Sequence, residues 1–376
     1  MRVLLTTDTV GGVWTFTREL SEGLLALGHD VALVSFGRAP VSSQSAWLAQ
    51  TARRWSRSFD YQPCDVPLEW MQENDTVFAS GDKILHEVIR RFSPDIFHSS
   101  QFCWGALELD LPKVITAHSD VMSWAAAAKP DLLNGSGWLD RYRNLVQRGL
   151  DGADAVVAPT RWMHHALRQH LHVNCRSEVI YNGRTMPACD TPERQRKLQA
   201  VTAGRLWDEA KGLSILRQIT SSMPVMLAGE ASFDGAPMAL PSAVTFLGRL
   251  GETELACLLQ QSSVYIAASV YEPFGLAPLE AALCGCAVLA RNLDSMREVW
   301  GDAALYFKNA AELEALLSAL SIDPDALHQA QLASSTRARQ FTAERMTSSY
   351  LALYHSLLAD DNESDEALEE LVVDAL

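Results

Sequence analysis

Residues 262–286 read SSVYIAASVYEPFGLAPLEAALCGC. VYIAAS is a short, continuous apolar run, the pattern of a strand covered on both faces. LEAALCGC is rich in helix formers and contains a glycine stop. The corner between them decides the reading. Pro273 disfavours helical geometry at Glu272. Pro278 fits the first turn of a helix, where no amide donor is needed. Glu272 therefore sits in the loop and Glu280 about one turn into the helix. Between them the amides of Phe274, Gly275 and Leu276 point out of a helix N-terminus, which offers free N–H groups and partial positive charge to a phosphate. Gly275 removes a side chain where such a group would approach the backbone. Two acids flanking an amide-lined corner can accept hydrogen bonds from sugar or ribose hydroxyls. The plainer alternative is a strand–loop–helix corner with solvated acids.

Working outward, strand and helix patterns alternate along most of the chain. Val3 to Thr6 is an apolar run, followed by Gly11-Gly12. Val13, Phe16, Leu20, Leu24 and Leu27 then recur on one helical face. Gly28 stops that helix, and residues 30–36 (DVALVSF) form the next strand. This βαβ unit predicts a parallel sheet covered by helices. Further strands are expected at 95–98, 113–117, 154–158 and 177–181. Residues 184–198 (RTMPACDTPERQRKL) are polar with two prolines and are assigned as a linker. A second series follows at 199–203, 224–228, 243–247, 262–268, 286–290 and 304–307. The expected architecture is α/β: a first doubly wound, Rossmann-like domain over 1–183 and a second over 199–339, facing a central cleft. Residues 340–358 form a closing helix expected to pack back on the first domain. An acidic tail, read as frayed or as a short amphipathic helix, occupies 359–376. Ligands of such sheets lie beyond the carboxyl ends of the strands.

Three further signals sit at strand ends. Gly204-Arg205-Leu206-Trp207-Asp208-Glu209-Ala210-Lys211-Gly212 follows the strand at 199–203. Arg205 offers a fork and Lys211 a point charge, and together they could embrace a diphosphate. The bland reading is surface pairing with Asp208 and Glu209. Gly11-Gly12 permits close approach of a phosphate to backbone. It lacks the G-x-G-x-x-G spacing, and the second strand ends without an acid for a ribose, which disfavours a dinucleotide oxidoreductase. His118, in VITAHSD, stands at a strand end, with Asp120 as a neighbour or a helix cap. Asp323-Pro324-Asp325 reads as a helix start, not a metal site.

Composition narrows the classes. The chain has 376 residues, 48% of them apolar, so it can bury substantial cores and is not wholly disordered. Its net charge is −15, a poor match for nucleic acid. More than half of that imbalance lies in the tail. Seven cysteines with no C-x-x-C pair argue against a disulfide scaffold or zinc ribbon and fit a reducing compartment. The start, MRVLLTTD, already reads as a strand without a leader, and no apolar stretch is long enough to span a membrane. The expectation is a cytoplasmic protein.

These residues resemble a known family. Glu272 to Glu280 is similar to the E-x7-E motif of the retaining glycosyltransferases of family 4, which have the GT-B fold, and GRLWDEAKG resembles their diphosphate loop. The order GGV, AHSD, VIYNG, TAGRL, LAGE, FLGRL, YEPFGLAPLEAALCGC and REVWGDAALYF is also similar, over about residues 1–355. The resemblance implies that Arg205 and Lys211 bind the donor's diphosphate and that the amides of Phe274, Gly275 and Leu276 hold its distal phosphate. It implies that Glu272 contacts the transferred sugar and Glu280 the ribose hydroxyls. Gly11 and Gly12 would lie against the diphosphate from the first domain, and His118 near the sugar. The implied donor is a UDP- or GDP-hexose and the acceptor a hydroxyl of a glycan, glycolipid or small molecule. No cofactor and no divalent metal is implied, because cations and a helix N-terminus can stabilise the leaving group. Within the same fold a nucleotide-sugar epimerase, a glucan synthase or phosphorylase, or a non-catalytic sugar-nucleotide binder are the alternatives.

Eight of the ten tryptophans precede residue 183, on the side expected to hold the acceptor. Trp47, Arg53, Arg54, Trp55 and Arg57 form a basic-aromatic stretch that would suit an anionic membrane surface at the inner face of the membrane. Ordinary packing is the alternative.

Overall fold

Runs such as VLLTT and VALVSF have no polar alternation, so the strands they form must be covered on both sides. The computed structural model describes residues 1–71, 76–135, 137–186, 196–221, 223–230, 240–241 and 244–373. In it β1 (Arg2–Asp8) and β2 (Asp30–Phe36) are buried from their second residue onward. They join β3 (Phe59–Pro63), β4 (Ile96–Ser99), β5 (Lys113–Thr116), β6 (Ala155–Ala158) and β7 (Arg176–Val179) in a seven-stranded sheet ordered β3-β2-β1-β4-β5-β6-β7. The second sheet holds β8 (Lys197–Arg205), β9 (Val225–Glu230), β10 (Val244–Gly248), β11 (Ser262–Ala267), β12 (Ala287–Arg291) and β13 (Leu305–Phe307), ordered β10-β9-β8-β11-β12-β13. The ladders are parallel in both sheets. This is the two-sheet α/β architecture expected from the alternating patterns. Among the described residues the one strand not expected from the sequence is β3, whose FDYQP ends on proline and pairs with β2 at the sheet edge.

The strand order reverses beside β1 in the first sheet, between β1 and β4, and beside β8 in the second, between β8 and β11. Crevices form outside the carboxyl ends of strands at such reversals. The chain places Gly11-Gly12 just after β1, Arg205 at the end of β8, and Glu272 just after β11. The fold thus delivers sequence-distant signals to two facing crevices.

The closing segment is one helix, Ala343–Val373, rather than a helix over 340–358 followed by a separate tail. Residues 374–376, with Asp374, lie outside the described residues. Tyr350, Leu353, Tyr354 and Leu357 share a core with Val3, Leu20 and Leu24, so this helix packs on the layer of the first sheet. Buried His98 ties them together. Its Nδ1 lies 2.6 Å from the Tyr354 hydroxyl and its Nε2 2.6 Å from Thr116 Oγ1, which in turn lies 3.0 Å from the Tyr350 hydroxyl.

Several local expectations change. Leu27 follows the last turn of the helix Gly12–Ala26 and is exposed, while Leu25 is buried in its place. Of the expected linker, residues 187–195 lie outside the described residues, and Arg184 is buried rather than solvated. Trp47 and Trp55 pack against the first core, with the Trp47 indole donating to Glu22. Of that stretch Arg53, Arg54 and Arg57 are exposed, while the two half-buried tryptophans lend part of their surface to packing. Asp323 caps the helix Pro324–Ala338 by accepting from the Ala326 amide, as a helix start should. Cys64, Cys103, Cys175, Cys284 and Cys286 are free thiols. Among the described residues no helix is long and apolar enough to cross a membrane.

Candidate functional site

β1 runs out at Asp8, whose carboxylate accepts from the Val10 amide at 2.7 Å and folds the chain into a tight turn. Burial pushes the Asp8 carboxyl up to about 6, against the pull of that amide and of the Arg205 charge. Gly11 follows with φ 71, a conformation that favours glycine, and the helix Gly12–Ala26 begins. Both glycines are exposed. A Cβ on Gly11 would stand 3.5 Å from Arg205 Nη1, and one on Gly12 would stand 3.4 Å from Leu276 Cδ1. The turn of the first sheet therefore meets both the cation loop and the acid corner of the second.

The cation loop leaves β8 at Arg205. Its guanidinium pairs with Asp208 at 2.9 Å, lies over the Trp207 ring and stays 36% exposed. The pairing with Asp208 is thus present while the cation still faces the cleft. Glu209 pairs instead with Lys129 of the first half, at 3.1 Å. Gly212 has φ 68, and a Cβ there would lie 2.1 Å from the Ala268 carbonyl oxygen, so the loop presses against the end of β11. This packing aims Lys211 at the corner. Its Nζ donates to Glu272 Oε2 at 2.9 Å, and Ser269 Oγ donates to the same oxygen at 3.0 Å. Both bonds fall on Oε2 of Glu272.

At the corner Gly275 has φ 90, and the helix Leu276–Leu283 begins directly after it, with Pro278 in its first turn. The first amides of a helix have no partner inside it. The Phe274 ring is buried beside Phe341, so Phe274 can offer the site only its backbone. The first half grips this corner. Thr160 Oγ1 donates to the Pro273 carbonyl at 2.8 Å, and the Tyr271 hydroxyl lies 3.0 Å from Ser119 Oγ and 2.8 Å from Ser123 Oγ. Glu298 accepts from the Arg161 and Trp162 amides at 2.7 and 2.8 Å, capping the helix Arg161–His170 from across the cleft.

His118 stands on the first-half wall, with Nε2 3.3 Å from Ser100 Oγ and its ring 4.5 Å from that of Phe16. Burial pushes its pKa down to about 3, so it is neutral at pH 7. Asp120 is a cap and not its partner: it accepts from the Ser123 amide and hydroxyl at the start of the helix Val121–Ala128. The adjacent Ser119 touches Tyr271, the residue before Glu272.

Glu280 is tethered. Its Oε1 accepts from Arg184 Nε at 2.7 Å, and the same guanidinium pairs with Glu19 and Glu252. Burial raises the Glu280 carboxyl above its ordinary range, and the Arg184 charge opposes that rise. Sequence reading missed Arg184, Asp8, Tyr271, Thr160 and Glu298. Asp8 alone carried a local signal, as the polar end of a strand. A cavity of about 310 Å³ opens between the halves, lined by Val10, Gly11, Arg205, Gly229, Arg249 and Leu250 among others. That is enough for a small-molecule ligand. A smaller space of about 30 Å³ lies by Lys211, Ser269 and Glu272.

Known proteins share this fold. Residues 10–185 match the model of Glycosyltransferase Family 4, and residues 238–338 that of Glycosyl transferases group 1. The alpha-monoglucosyldiacylglycerol synthase of Streptococcus pneumoniae is 24% identical over 367 residues, which covers 86% of this chain and 79% of that protein. Among solved structures, the sucrose-phosphate synthase of Thermosynechococcus elongatus superposes with a TM-score of 0.76 at 18% identity, over 96% of this chain and 100% of that one. Anabaena HepE, solved in complex with UDP and glucose, gives a TM-score of 0.68 at 18% identity, over 95% and 100%. The chain belongs to the family 4 glycosyltransferases and has their GT-B fold.

Proposed function

We propose that this glycosyltransferase moves a hexosyl group from a nucleoside diphosphate sugar to a hydroxyl of a glycan, glycolipid or small acceptor, with retention of anomeric configuration. The observation that carries the reading is the meeting of Gly11 with Arg205, Gly12 with Leu276, and Lys211 with Glu272 at the edge of one cleft. Glucose is the first candidate sugar and UDP the first candidate carrier. The name of the Streptococcus relative and the ligands of the Anabaena structure support that choice.

In this reading the bond from the sugar's anomeric carbon to the diphosphate oxygen breaks, and its electron pair leaves with the phosphate. The acceptor oxygen bonds to the same face of the anomeric carbon, and its proton passes to the departing phosphate oxygen. Arg205, Lys211 and the amides from Phe274 to Leu276 stabilise the charge that develops on the diphosphate. That cationic set can supply the charge stabilisation that a divalent ion gives other enzymes, so this reading calls for none. Glu272 orients the sugar, His118 offers a neutral imidazole beside it, and Glu280 accepts from the ribose hydroxyls. The test is release of nucleoside diphosphate from UDP-glucose and GDP-mannose in EDTA, with and without sugar acceptors, and NMR of the product anomer. The account expects release from at least one donor without added metal, and a retained configuration. An inverted product, or release only with Mg²⁺, contradicts it.

A further inference from the structure

Arg184 follows β7 at the point where the chain leaves the first sheet, a place where sequence alone suggests a solvated linker. Its backbone is held. The Arg184 amide donates to the Phe341 carbonyl at 3.1 Å, and a Cβ on the preceding Gly183 would lie 2.0 Å from the Thr342 carbonyl oxygen. Its side chain is only 2% exposed. Each nitrogen of the fork is used. Nε donates to Glu280, Nη1 to Glu19 and to the Thr185 carbonyl, and Nη2 to Glu252. Glu19 lies in the helix Gly12–Ala26 of the first half, while Glu252 opens the helix Glu252–Gln260 of the second and Glu280 lies in the corner helix. Arg18 adds a second cation, pairing with both Glu19 and Glu252.

The cluster holds three carboxylates and two guanidinium groups, so it is one positive charge short. Burial raises the carboxyls of Glu19 and Glu280, while the two arginines pull Glu252 down to about 2. Glu280 differs from its two companions in its ion pairs: among the described residues it pairs with Arg184 alone, whereas Glu19 and Glu252 also pair with Arg18. A buried carboxylate stripped of its partner is costly and reorients or takes up a proton.

We propose that Arg184 is a positioning residue for donor binding: by holding Glu280 through Oε1, it presents the other carboxylate oxygen to the vicinal hydroxyls of the donor's ribose. The inference rests on the donor reading given above and adds the residue that sets the acid in place. Arginine suits the task because its planar fork fixes direction, which a lysine point charge does not. Losing a hydrogen bond to a buried charged group weakens binding by roughly 10- to 100-fold.

The test uses the full-length protein and titration calorimetry. UDP, GDP and ADP identify the preferred nucleoside diphosphate, which is then compared with its 2′,3′-dideoxy counterpart. Wild-type protein should bind the ribose form about 10-fold or more tightly than the dideoxy form. Arg184→Met should bring that ratio to within about 2-fold and raise KM for the donor sugar far more than it lowers kcat. Arg184→Lys should give an intermediate ratio, and it carries the test if the methionine variant does not fold. Glu19→Gln leaves the Arg184–Glu280 bond in place and should keep the wild-type ratio. A purely structural arginine would lower the melting temperature and leave the ratio unchanged. If the wild type discriminates and both Arg184 variants discriminate equally well, the positioning role is overturned while the donor reading stands. If the wild type binds none of the three nucleoside diphosphates, both fall together.

Discussion

Arg205 is matched by Asp208 yet more than a third exposed, and Lys211 is matched by Glu272. Each cation is held in place by an acid, so in the proposed reading the diphosphate meets charges already oriented. At this scale the account predicts that Arg205→Ala and Glu272→Gln each lower kcat for sugar transfer by roughly 100-fold or more, with far-UV circular dichroism unchanged. His118 makes a different statement. Its pKa lies at about 3, well below 6.5, so it carries no proton change between pH 5 and 8. Activity over that range should show no inflection that disappears in a His118→Asn variant. The residues that sequence reading found share one property: glycine, proline and charge at strand ends have local reasons to be there. Arg184 and Tyr271 have none, because their partners lie about 70 to 165 positions away and only the fold brings them together.

Among elements, the closing helix Ala343–Val373 depends on the buried His98 network. His98 is pushed down to about 3 by burial, from 6.5. The unfolded chain therefore binds more protons between those values. The contribution of His98 is complete above about pH 6.5 and is lost as pH falls toward 3. Burial works in the opposite sense on Glu69, whose carboxyl rises to about 7, so its charging costs stability as pH climbs from 4.5 toward 7. The two slopes oppose each other and must be separated by mutation. Relative to wild type, His98→Gln should be destabilising at pH 7, and the deficit should shrink by about 2 kcal/mol at pH 5 in urea unfolding. An equal deficit at both values would show that His98 titrates normally. Tyr354→Phe leaves the imidazole Nδ1 without its hydroxyl partner and should cost about 1–3 kcal/mol in the same assay. The strands were legible because apolar runs bounded by glycine and polar residues have few other solutions. The strand Phe59–Pro63 was not, since an edge position relaxes the need for an apolar run. The length of the closing helix was also hidden, because its acidic end resembles a solvated tail.

For the whole molecule, the halves meet through polar contacts set around the cleft: Thr160 with Pro273, Glu298 with the Arg161–His170 helix, and Arg18 and Arg184 with Glu252. Glu298→Ala frees two amides at a helix start and should lower the unfolding free energy by about 1–3 kcal/mol. The two-layer plan and the cleft were readable from the alternation of patterns on either side of the linker. The way the halves clasp each other was not, because pairing across two sheets leaves no periodic trace. The central claim is that both halves converge on the diphosphate of an activated sugar. It is tested most directly by thermal unfolding of the wild type and of Arg205→Ala with saturating UDP, GDP and ADP. At about 100 times Kd, binding to the native state alone contributes about 2.7 kcal/mol, a clear rise in Tm. The account predicts that rise for at least one of the three with the wild type and its loss in Arg205→Ala. No rise with any of them, or an equal rise in the variant, contradicts it.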